Sequence, residues 1–444
     1  MLHKLPIVIL ALVISVLSGC ATLPTTENGP GPGPGPGTGG GSVFISGANV
    51  FDGDRSIGVR DVLVEGGIIR RIGSHLTAPP AVIVIDGRGR TLLPGLIDAH
   101  VHSIPGGPAD ALRFGVTSEF DLYSFGDAKA AQNRKRHRQS LARTSEADVW
   151  SSGFGITPPG GHPSEMFAGQ DGVPPVPTLA DGADANAFVA ARVAEGADYI
   201  KVIEDNGARA GQPASLPAFS VPRFAQVMRA AKGTGLKVIV HVQQLAFAKA
   251  AIADGADALA HGLADAPPDN ELLRDMRRRK VALIGTLAIY DGIGGRGGAA
   301  RLLSDSLIAP YLSLTQKMLM GIQLPHDPVE ETNAIETVRR AHRAGIMILA
   351  GTDAPNPTTG FGVSMQLELQ LLVEAGLSPA QALRAATSNA ARFNGVKDRG
   401  RVALGLRGDL LLVEGNPMEN IQDTRRIVSV FKNGWPVDRA PPIQ

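Results

Sequence analysis

Eight apolar runs of strand length alternate with segments of helical periodicity between residues 93 and 397, and this alternation limits the fold more than any other feature. The runs are 96–101, 116–122, 149–155, 199–203, 237–242, 257–261, 281–287 and 346–350. Helical segments lie between them, among them 185–195, 223–232, 246–254 and 330–344. Strands that alternate with helices form parallel sheets, and eight alternations over about 300 residues predict an α/β fold, a (β/α)8 TIM barrel. A doubly wound open sheet is the alternative.

The two ends of the chain share a different pattern. Short strand-like segments separated by Asp-Gly and Gly-Gly pairs occupy residues 43–92 and return in residues 398–438. Such spacing is typical of antiparallel sheets with tight turns. We therefore expect both ends to combine into one small β-sandwich domain, which leaves residues 93–397 for the barrel.

The first 42 residues carry the features of an export signal and a tether. A basic start and an apolar run at 7–17 precede Leu17-Ser-Gly-Cys20, which resembles the box of a bacterial lipoprotein, where the cysteine is lipidated. An ordinary secretory signal is the alternative. Residues 21–42 form a Gly- and Pro-rich linker. Because Ala21 and not aspartate follows Cys20, we expect an outer-membrane lipoprotein held by its lipid alone.

Composition narrows the partners and the chemistry of the mature chain. A formal net charge of +1 gives no electrostatic case for nucleic acid. Cys20 is the only cysteine, so neither disulfides nor cysteine ligands are available to the exported domain. We expect a small-molecule substrate, and the sequence predicts no oligomeric state.

Side chains that bind metals or move protons fall near the ends of the predicted strands. His100 and His102 are two residues apart, so on a strand they face the same way. Neutral imidazole is a common metal ligand, and residues at the C-terminal ends of barrel strands form the active site. The other candidates at this rim are Lys201, His241, His261 and Asp353. Taken singly, each histidine has the alternative of a hydrogen-bonded structural role.

Several segments resemble one protein superfamily. They are Leu93-Pro-Gly-Leu-Ile-Asp-Ala-His-Val-His102, Ala260-His-Gly262, Ala350-Gly-Thr-Asp-Ala354 and residues 368–383. Together they resemble the amidohydrolase superfamily, and within it the imidazolonepropionase-like branch that includes prolidase-like dipeptidases. The resemblance runs from about Val43 to Pro436.

The resemblance implies a binuclear metal centre. In it His100, His102 and Asp353 bind one divalent ion, and His241 and His261 bind a second, with zinc the expected metal. Lys201 occupies the position of a lysine that becomes carboxylated and bridges the two ions.

The chemistry of a buried lysine is compatible with that role, because burial lowers the lysine pKa and the neutral amine can add CO2. The alternative is a strand lysine that faces the helices or pairs with Glu204, which would leave a mononuclear site.

The resemblance also suggests the reaction and the substrate. A metal-activated hydroxide would attack the carbonyl of a carbon–nitrogen bond, with Asp353 as the proton shuttle. We expect a dipeptide or another N-acyl amino acid. His162, Arg209 and Tyr290 are candidate substrate contacts, and each has a structural or solvent-exposed alternative. A deaminase or cyclic-amide hydrolase with a mononuclear site is the second hypothesis, and a non-catalytic binding lipoprotein is the third.

Overall fold

The computed structural model describes residues 40–124, 127–169 and 175–440. The predicted signal peptide with its lipidation residue Cys20, and residues 21–39 of the predicted linker, lie outside the described residues. Within the described part of the chain, no helix is long and apolar enough to cross a membrane.

The described residues form sixteen strands. They are β1 Val43–Phe51, β2 Ser56–Glu65, β3 Ile68–Gly73, β4 Ile83–Asp86, β5 Arg90–Pro94, β6 Leu96–Val101, β7 Val116–Asp121, β8 Asp148–Ser151, β9 Ile200–Ile203, β10 Val238–His241, β11 Ala258–Ala260, β12 Ala282–Ile284, β13 Ile348–Leu349, β14 Leu410–Glu414, β15 Ile427–Lys432 and β16 Trp435–Pro436.

Fourteen α-helices are found in the described residues. They are α1 Gly107–Arg113, α2 Ala128–Gln139, α3 Ser164–Phe167, α4 Ala185–Ala194, α5 Val221–Gly233, α6 Leu245–Ala253, α7 Asn270–Arg279, α8 Leu287–Ile293, α9 Gly298–Ser304, α10 Leu314–Met320, α11 Pro328–Arg343, α12 Val363–Glu374, α13 Pro379–Ala385 and α14 Ser388–Phe393. Two short 3-10 helices span Ala309–Tyr311 and Ile421–Arg425.

Strands from both ends of the chain share one eight-stranded sheet. Its order is β16-β15-β14-β5-β1-β2-β3, and β4 pairs with β1. β5 pairs antiparallel with β14 from Arg90 to Pro94, so the strand crosses the predicted domain boundary between residues 92 and 93. The composite character of this sheet follows the sequence pattern, whereas the sandwich arrangement and the domain boundaries stay predictions.

The middle of the chain contains the eight predicted strands, all in parallel pairs. β6, β7 and β8 form one sheet, and β9 to β13 form a second in sequence order. Two isolated parallel bridges join strands to residues outside them: Val202 of β9 pairs with Ile156, and Val101 of β6 pairs with Ala354. The alternation of strands and helices is therefore observed, and closure of the eight strands stays a prediction.

Helix boundaries follow from local chemistry, as α11 shows. Asp327 caps its N-terminus by accepting from the backbone N–H groups of Val329 and Glu330. Pro328 opens the helix, where its missing N–H costs nothing, and basic residues occupy the last turn. Strand β12 is shorter than predicted because Thr286 takes a left-handed conformation (φ 48°), after which α8 begins.

A buried network of charges joins the terminal sheet to the parallel strands. Lys432 of β15 is fully buried, and its Nζ lies 2.7 Å from Asp148 of β8 and 2.9 Å from Asp409. Arg399 also pairs with both carboxylates. Lys432 and Arg399 keep the pKa of Asp148 low, at about 2, although burial alone would raise it. Each charge is thus matched by an opposite charge, which is the condition for keeping ions inside a protein.

Lys432→Met should lower the free energy of unfolding by about 3 kcal/mol, because two buried carboxylates then share one remaining cation. Urea unfolding at pH 7 measures the change. Lys249→Met is the control, since Lys249 forms partly exposed pairs with Asp269 and Glu271 and should cost less than about 1 kcal/mol. Equal losses in the two variants would contradict this account of the network.

Candidate metal centre

The parallel strands bring the candidate ligands to one place. His100 lies near the end of β6, Lys201 within β9 and His241 at the end of β10. His261 follows β11 and Asp353 follows β13. All five are buried, whereas His102, just after β6, has a side chain that is 31% exposed. The cluster is therefore open to the exterior beside His102.

Asp353 is the centre of the cluster. Its Oδ1 lies 3.2 Å from His100 Nε2 and 2.9 Å from His102 Nε2. Its Oδ2 lies 3.9 Å from His261 Nδ1. Potential ligand atoms of His100, His261 and Asp353 all lie within 4.8 Å of one another, so they could hold one metal ion. The ring centroid of His241 is 4.3 Å from that of His261.

Hydrogen bonds outside the cluster fix the histidine rings. The Nδ1 of His102 lies 3.1 Å from the carbonyl oxygen of Tyr123, which only accepts, so this nitrogen carries a proton. The Nδ1 of His261 lies 2.9 Å from Thr286 Oγ1. Partners of this kind orient imidazole ligands in metal sites.

Burial and mutual charge favour the ligand forms of these side chains. Burial lowers the pKa of His100 to about 3 and that of His241 to about 4, and it takes the pKa of His261 well below its usual value. Burial would raise the pKa of Asp353, but His100 and the other histidines lower it well below its usual range. At neutral pH His100, His241 and His261 are therefore neutral imidazoles, and Asp353 is an ionised carboxylate.

Lys201 is buried without a hydrogen-bond partner for its Nζ among the described residues. Burial lowers its pKa to about 7, although Asp353 and Asp121 oppose the shift. The ion pair with Glu204 that we considered from the sequence is not formed in the described structure. Glu204 instead has a pKa raised to about 8 by burial, and its Oε2 has no partner in the described part of the chain.

Backbone strain occurs at two of the same strand ends. His261 and Asp353 have φ angles of 79° and 61°, in the left-handed region that disfavours non-glycine residues. Gly351, just after β13, allows the chain to pass close to β6, because a Cβ there would lie 2.8 Å from His100 Cβ. The surrounding structure thus holds the cluster in a geometry that the isolated backbone would avoid.

The three candidate substrate contacts lie in different environments. His162 has its ring centroid 5.0 Å from that of His241, and its Nδ1 is 3.0 Å from Glu165 Oε1. Burial would lower the pKa of His162, but Glu165 raises it above its usual value.

Arg209 pairs with Glu330 at 3.2 Å and with Asp205 at 3.4 Å, so its charge is already matched. Tyr290 is fully buried, donates to the Gly262 carbonyl at 2.7 Å and accepts from Gln243 at 2.8 Å. Their substrate roles stay predictions.

Comparison with known proteins identifies the family. Residues 91–437 match the model of the amidohydrolase family. The chain belongs to this family.

Among curated relatives of this amidohydrolase, imidazolonepropionase of Rubrobacter xylanophilus is 28% identical over 372 residues, which cover 76% of this chain and 78% of the relative. Dihydroorotase of Pelobacter propionicus is 23% identical over 394 residues, 80% of this chain and 85% of the relative. A crystal structure of a Xaa-Pro dipeptidase with bound methionine has a TM-score of 0.69 at 22% identity, and covers 89% of this chain and 100% of that one. That likeness shows a shared fold. Family membership makes the protein a hydrolase of carbon–nitrogen bonds in small molecules.

Two residues that contact the amidohydrolase site were missed in the sequence. Asp205 accepts from His241 Nε2 at 3.2 Å, and Thr286 contacts His261. Asp205 carried a usable signal, because it lies four residues after Lys201 and alternation along an extended segment gives the two residues the same face. Thr286 carried none, since its contact depends on the left-handed turn after β12.

Lys201→Met should change the pH dependence of stability in the metal-free protein. The pKa of Lys201 is about 7 when folded and 10.5 in its ordinary state, so between these values the unfolded chain binds one more proton. The parent's free energy of unfolding should therefore rise with pH relative to the variant, by about 1.4 kcal/mol per pH unit, and the difference should level off below pH 7. Urea unfolding from pH 6 to 9 in CO2-free buffer measures it. A difference that is flat with pH would contradict the burial of a neutral amine.

Proposed function

We propose that this amidohydrolase cleaves the amide bond of a small substrate such as a dipeptide or an N-acyl amino acid, with two zinc ions held by the cluster. The observation that carries the proposal is the chemical state of the donors. The site buries neutral imidazoles, an ionised carboxylate and a lysine amine that has no hydrogen-bond partner in the described structure. Burying these groups together is unfavourable unless a ligand binds them. Divalent cations satisfy all of these groups at once.

The donor set divides between two ions in the proposal. His100, His102 and Asp353 would hold one ion, in keeping with the short distances from Asp353 Oδ1 to both rings. His241 and His261, with ring centroids 4.3 Å apart, would hold the other. Lys201, as a carbamate formed from its neutral amine and CO2, would supply one oxygen to each ion.

Bound zinc would polarise the substrate carbonyl and make a water molecule nucleophilic at neutral pH. The protein's part is proton transfer by Asp353. Its Oδ1 faces two histidines, whereas its Oδ2 has no hydrogen bond within the described structure and can take the proton of the attacking water. The same oxygen would then return the proton to the leaving amine, because an expelled amine must be protonated.

Support for a dipeptide comes from the fold shared with the Xaa-Pro dipeptidase and from the groups beside the cluster. Glu165 raises the pKa of His162, and the ring of His162 lies next to that of His241, so its imidazole can meet a carbonyl or carboxylate of the substrate. Arg209 would have to share its charge between a substrate carboxylate and Glu330. Tyr290 would have to give up an internal hydrogen bond.

A cyclic-amide hydrolase is the second candidate, because a dihydroorotase is among the relatives. In that case Lys201 would remain a free amine and the site would be mononuclear. Deaminase chemistry would use the same residues. A non-catalytic binding lipoprotein is the remaining hypothesis, and intact ligands without metal uptake would favour it.

We also propose that β6 to β13 close into a (β/α)8 barrel and that the terminal strands form a sandwich beside it. Two isolated bridges support closure. One joins Ile156, after β8, to Val202 of β9, and the other joins Val101 of β6 to Ala354, after β13, so they connect both edges of the three-stranded sheet to both edges of the five-stranded sheet.

The proposed lipid anchor at Cys20 would hold the domain to the outer membrane. A Cys20→Ser chain that still fractionates with membranes would contradict the anchor.

The protein should contain about two zinc ions per chain after zinc loading and desalting, as measured by elemental analysis. Lys201→Ala should lose at least one of them, because the bridging oxygens disappear. Lys237→Ala is the matched control, since Lys237 is an exposed lysine just before β10, and its metal content should equal that of the parent. The zinc-loaded parent is then tested on a dipeptide library.

One zinc per chain that Lys201→Ala leaves unchanged would contradict the bridge and redirect the search to cyclic amides and deaminase substrates. No zinc uptake in a folded parent would contradict the metal centre altogether.

A further inference from the structure

Asp205 is a buried carboxylate that contacts one ring of the cluster without belonging to the proposed ligand set. Its Oδ2 lies 3.2 Å from His241 Nε2, and its side chain is only 3% exposed. No hydrogen bond reaches the other nitrogen of His241, Nδ1, from the described residues. Which ring nitrogen of His241 carries the proton therefore depends on whether Asp205 accepts a hydrogen bond from Nε2 or donates one to it.

The other oxygen of Asp205 is surrounded by donors. Oδ1 accepts from Gln244 Nε2 at 2.7 Å and from the backbone N–H of Gly207 at 2.7 Å. Arg209 donates more weakly to both oxygens, with Nη1 3.4 Å from Oδ1 and Nη2 3.5 Å from Oδ2. All of these groups donate and none accepts, so the carboxylate is held in its acceptor form with Oδ2 directed at His241. A carboxylate without a proton can only accept, so Nε2 of His241 must carry the hydrogen.

We propose that Asp205 is a positioning residue that holds His241 as its Nε2–H tautomer and thereby keeps the lone pair of Nδ1 available for a metal ion beside His261. The ligand part of this inference rests on the proposed metal function, whereas the tautomer does not. Outer carboxylates of this kind orient imidazole ligands and increase their basicity, and their loss commonly weakens metal binding by about 10- to 100-fold.

Asp205→Asn provides a sharp test because it preserves shape and reverses one hydrogen bond. The donors Gln244 and Gly207 would hold the amide oxygen at the Oδ1 position. The amide NH2 group would then occupy the Oδ2 position, where it could donate to His241 Nε2 but could not accept from it. His241 would have to move its proton to Nδ1 and would lose its ligand lone pair. Rotating the amide would instead place its NH2 group against Gln244 and Gly207, which donate at 2.7 Å, whereas the Arg209 donor at the Oδ2 position is 3.5 Å away.

Asp205→Ala removes the acceptor without imposing a new donor, so both tautomers become accessible. Zinc affinity at the His241 site should therefore fall in the order parent, Asp205→Ala, Asp205→Asn. If the role of Asp205 were purely structural, the two variants would change places and Asp205→Ala would bind zinc more weakly than Asp205→Asn, because the isosteric amide disturbs the loop less than alanine does. The order of the two variants thus separates positioning from general loss of structure.

The experiment uses the full chain with 15N-labelled histidine. In the metal-free protein, two-bond 15N–1H correlations report the tautomer of His241, whose signals are identified by their loss in His241→Ala. The parent should show Nε2–H and Asp205→Asn should show Nδ1–H. Competition with a chelator then measures zinc affinity, which should be about 10- to 100-fold weaker in Asp205→Asn. Asp291→Asn, a buried aspartate that accepts from Gly298 N, is the control and should change neither readout.

An Nδ1–H tautomer in the parent, or an unchanged Nε2–H tautomer in Asp205→Asn, would overturn the inference. So would equal zinc affinity in the parent and Asp205→Asn, or a lower affinity in Asp205→Ala than in Asp205→Asn. If the tautomers behave as expected but the parent binds no zinc, the positioning is supported and the proposed metal function fails. If Asp205→Asn does not fold, the parent tautomer still decides the question, because Nε2–H supports the inference and Nδ1–H overturns it.

Discussion

The burial of ionisable side chains at the strand ends is the constraint on which the site depends. Away from water, an imidazole resists protonation, an amine loses its proton and a carboxylate keeps its charge only where neighbouring groups stabilise it. His100, His241 and Lys201 show the first two effects, and Asp353 keeps its charge only because the histidines surround it. The protein thus maintains at neutral pH the protonation states that divalent cations require of their ligands.

The supporting structure also carries a cost that the cluster explains. Left-handed conformations at His261, Thr286 and Asp353 are unfavourable for residues with side chains. They occur at the loops that follow strands β11, β12 and β13, where each residue must turn towards the cluster or its hydrogen-bond partners. Strain at these positions, and its absence from the paired strands below them, indicates that the loops serve the site and the strands hold it in place.

Charge pairing is used differently at the boundary between the terminal sheet and the parallel strands. There Lys432 and Arg399 neutralise Asp148 and Asp409 completely, so no group is left to bind a ligand. In the cluster around Asp353, by contrast, Lys201 Nζ is left without a partner in the described structure. The comparison separates a buried network that stabilises the fold from one that is incomplete and suited to binding.

Much of this architecture could be predicted from the sequence because periodicity reports burial. Apolar runs and helical patterns predicted the strands and helices of the middle region, and the segment around His100 and His102 resembled a known family. Contacts between distant residues were beyond such reasoning. The pairing of Arg209 with Glu330 joins residues 121 positions apart, and the hydrogen bonds of Tyr290 depend on how α8 packs. Hence the strand ends that carry the candidate ligands could be predicted, the roles of these residues stay predictions, and the hydrogen bonds around them could not be predicted.

The cluster is proposed to be a two-metal site. Diffraction from zinc-loaded crystals at wavelengths on either side of the zinc absorption edge tests it most directly, because the difference map shows zinc and nothing else. We expect two peaks, one among His100, His102 and Asp353 and one beside His241 and His261. Extra density should extend from Lys201 Nζ between them. An empty cluster, or a single peak with unmodified Lys201, would contradict it.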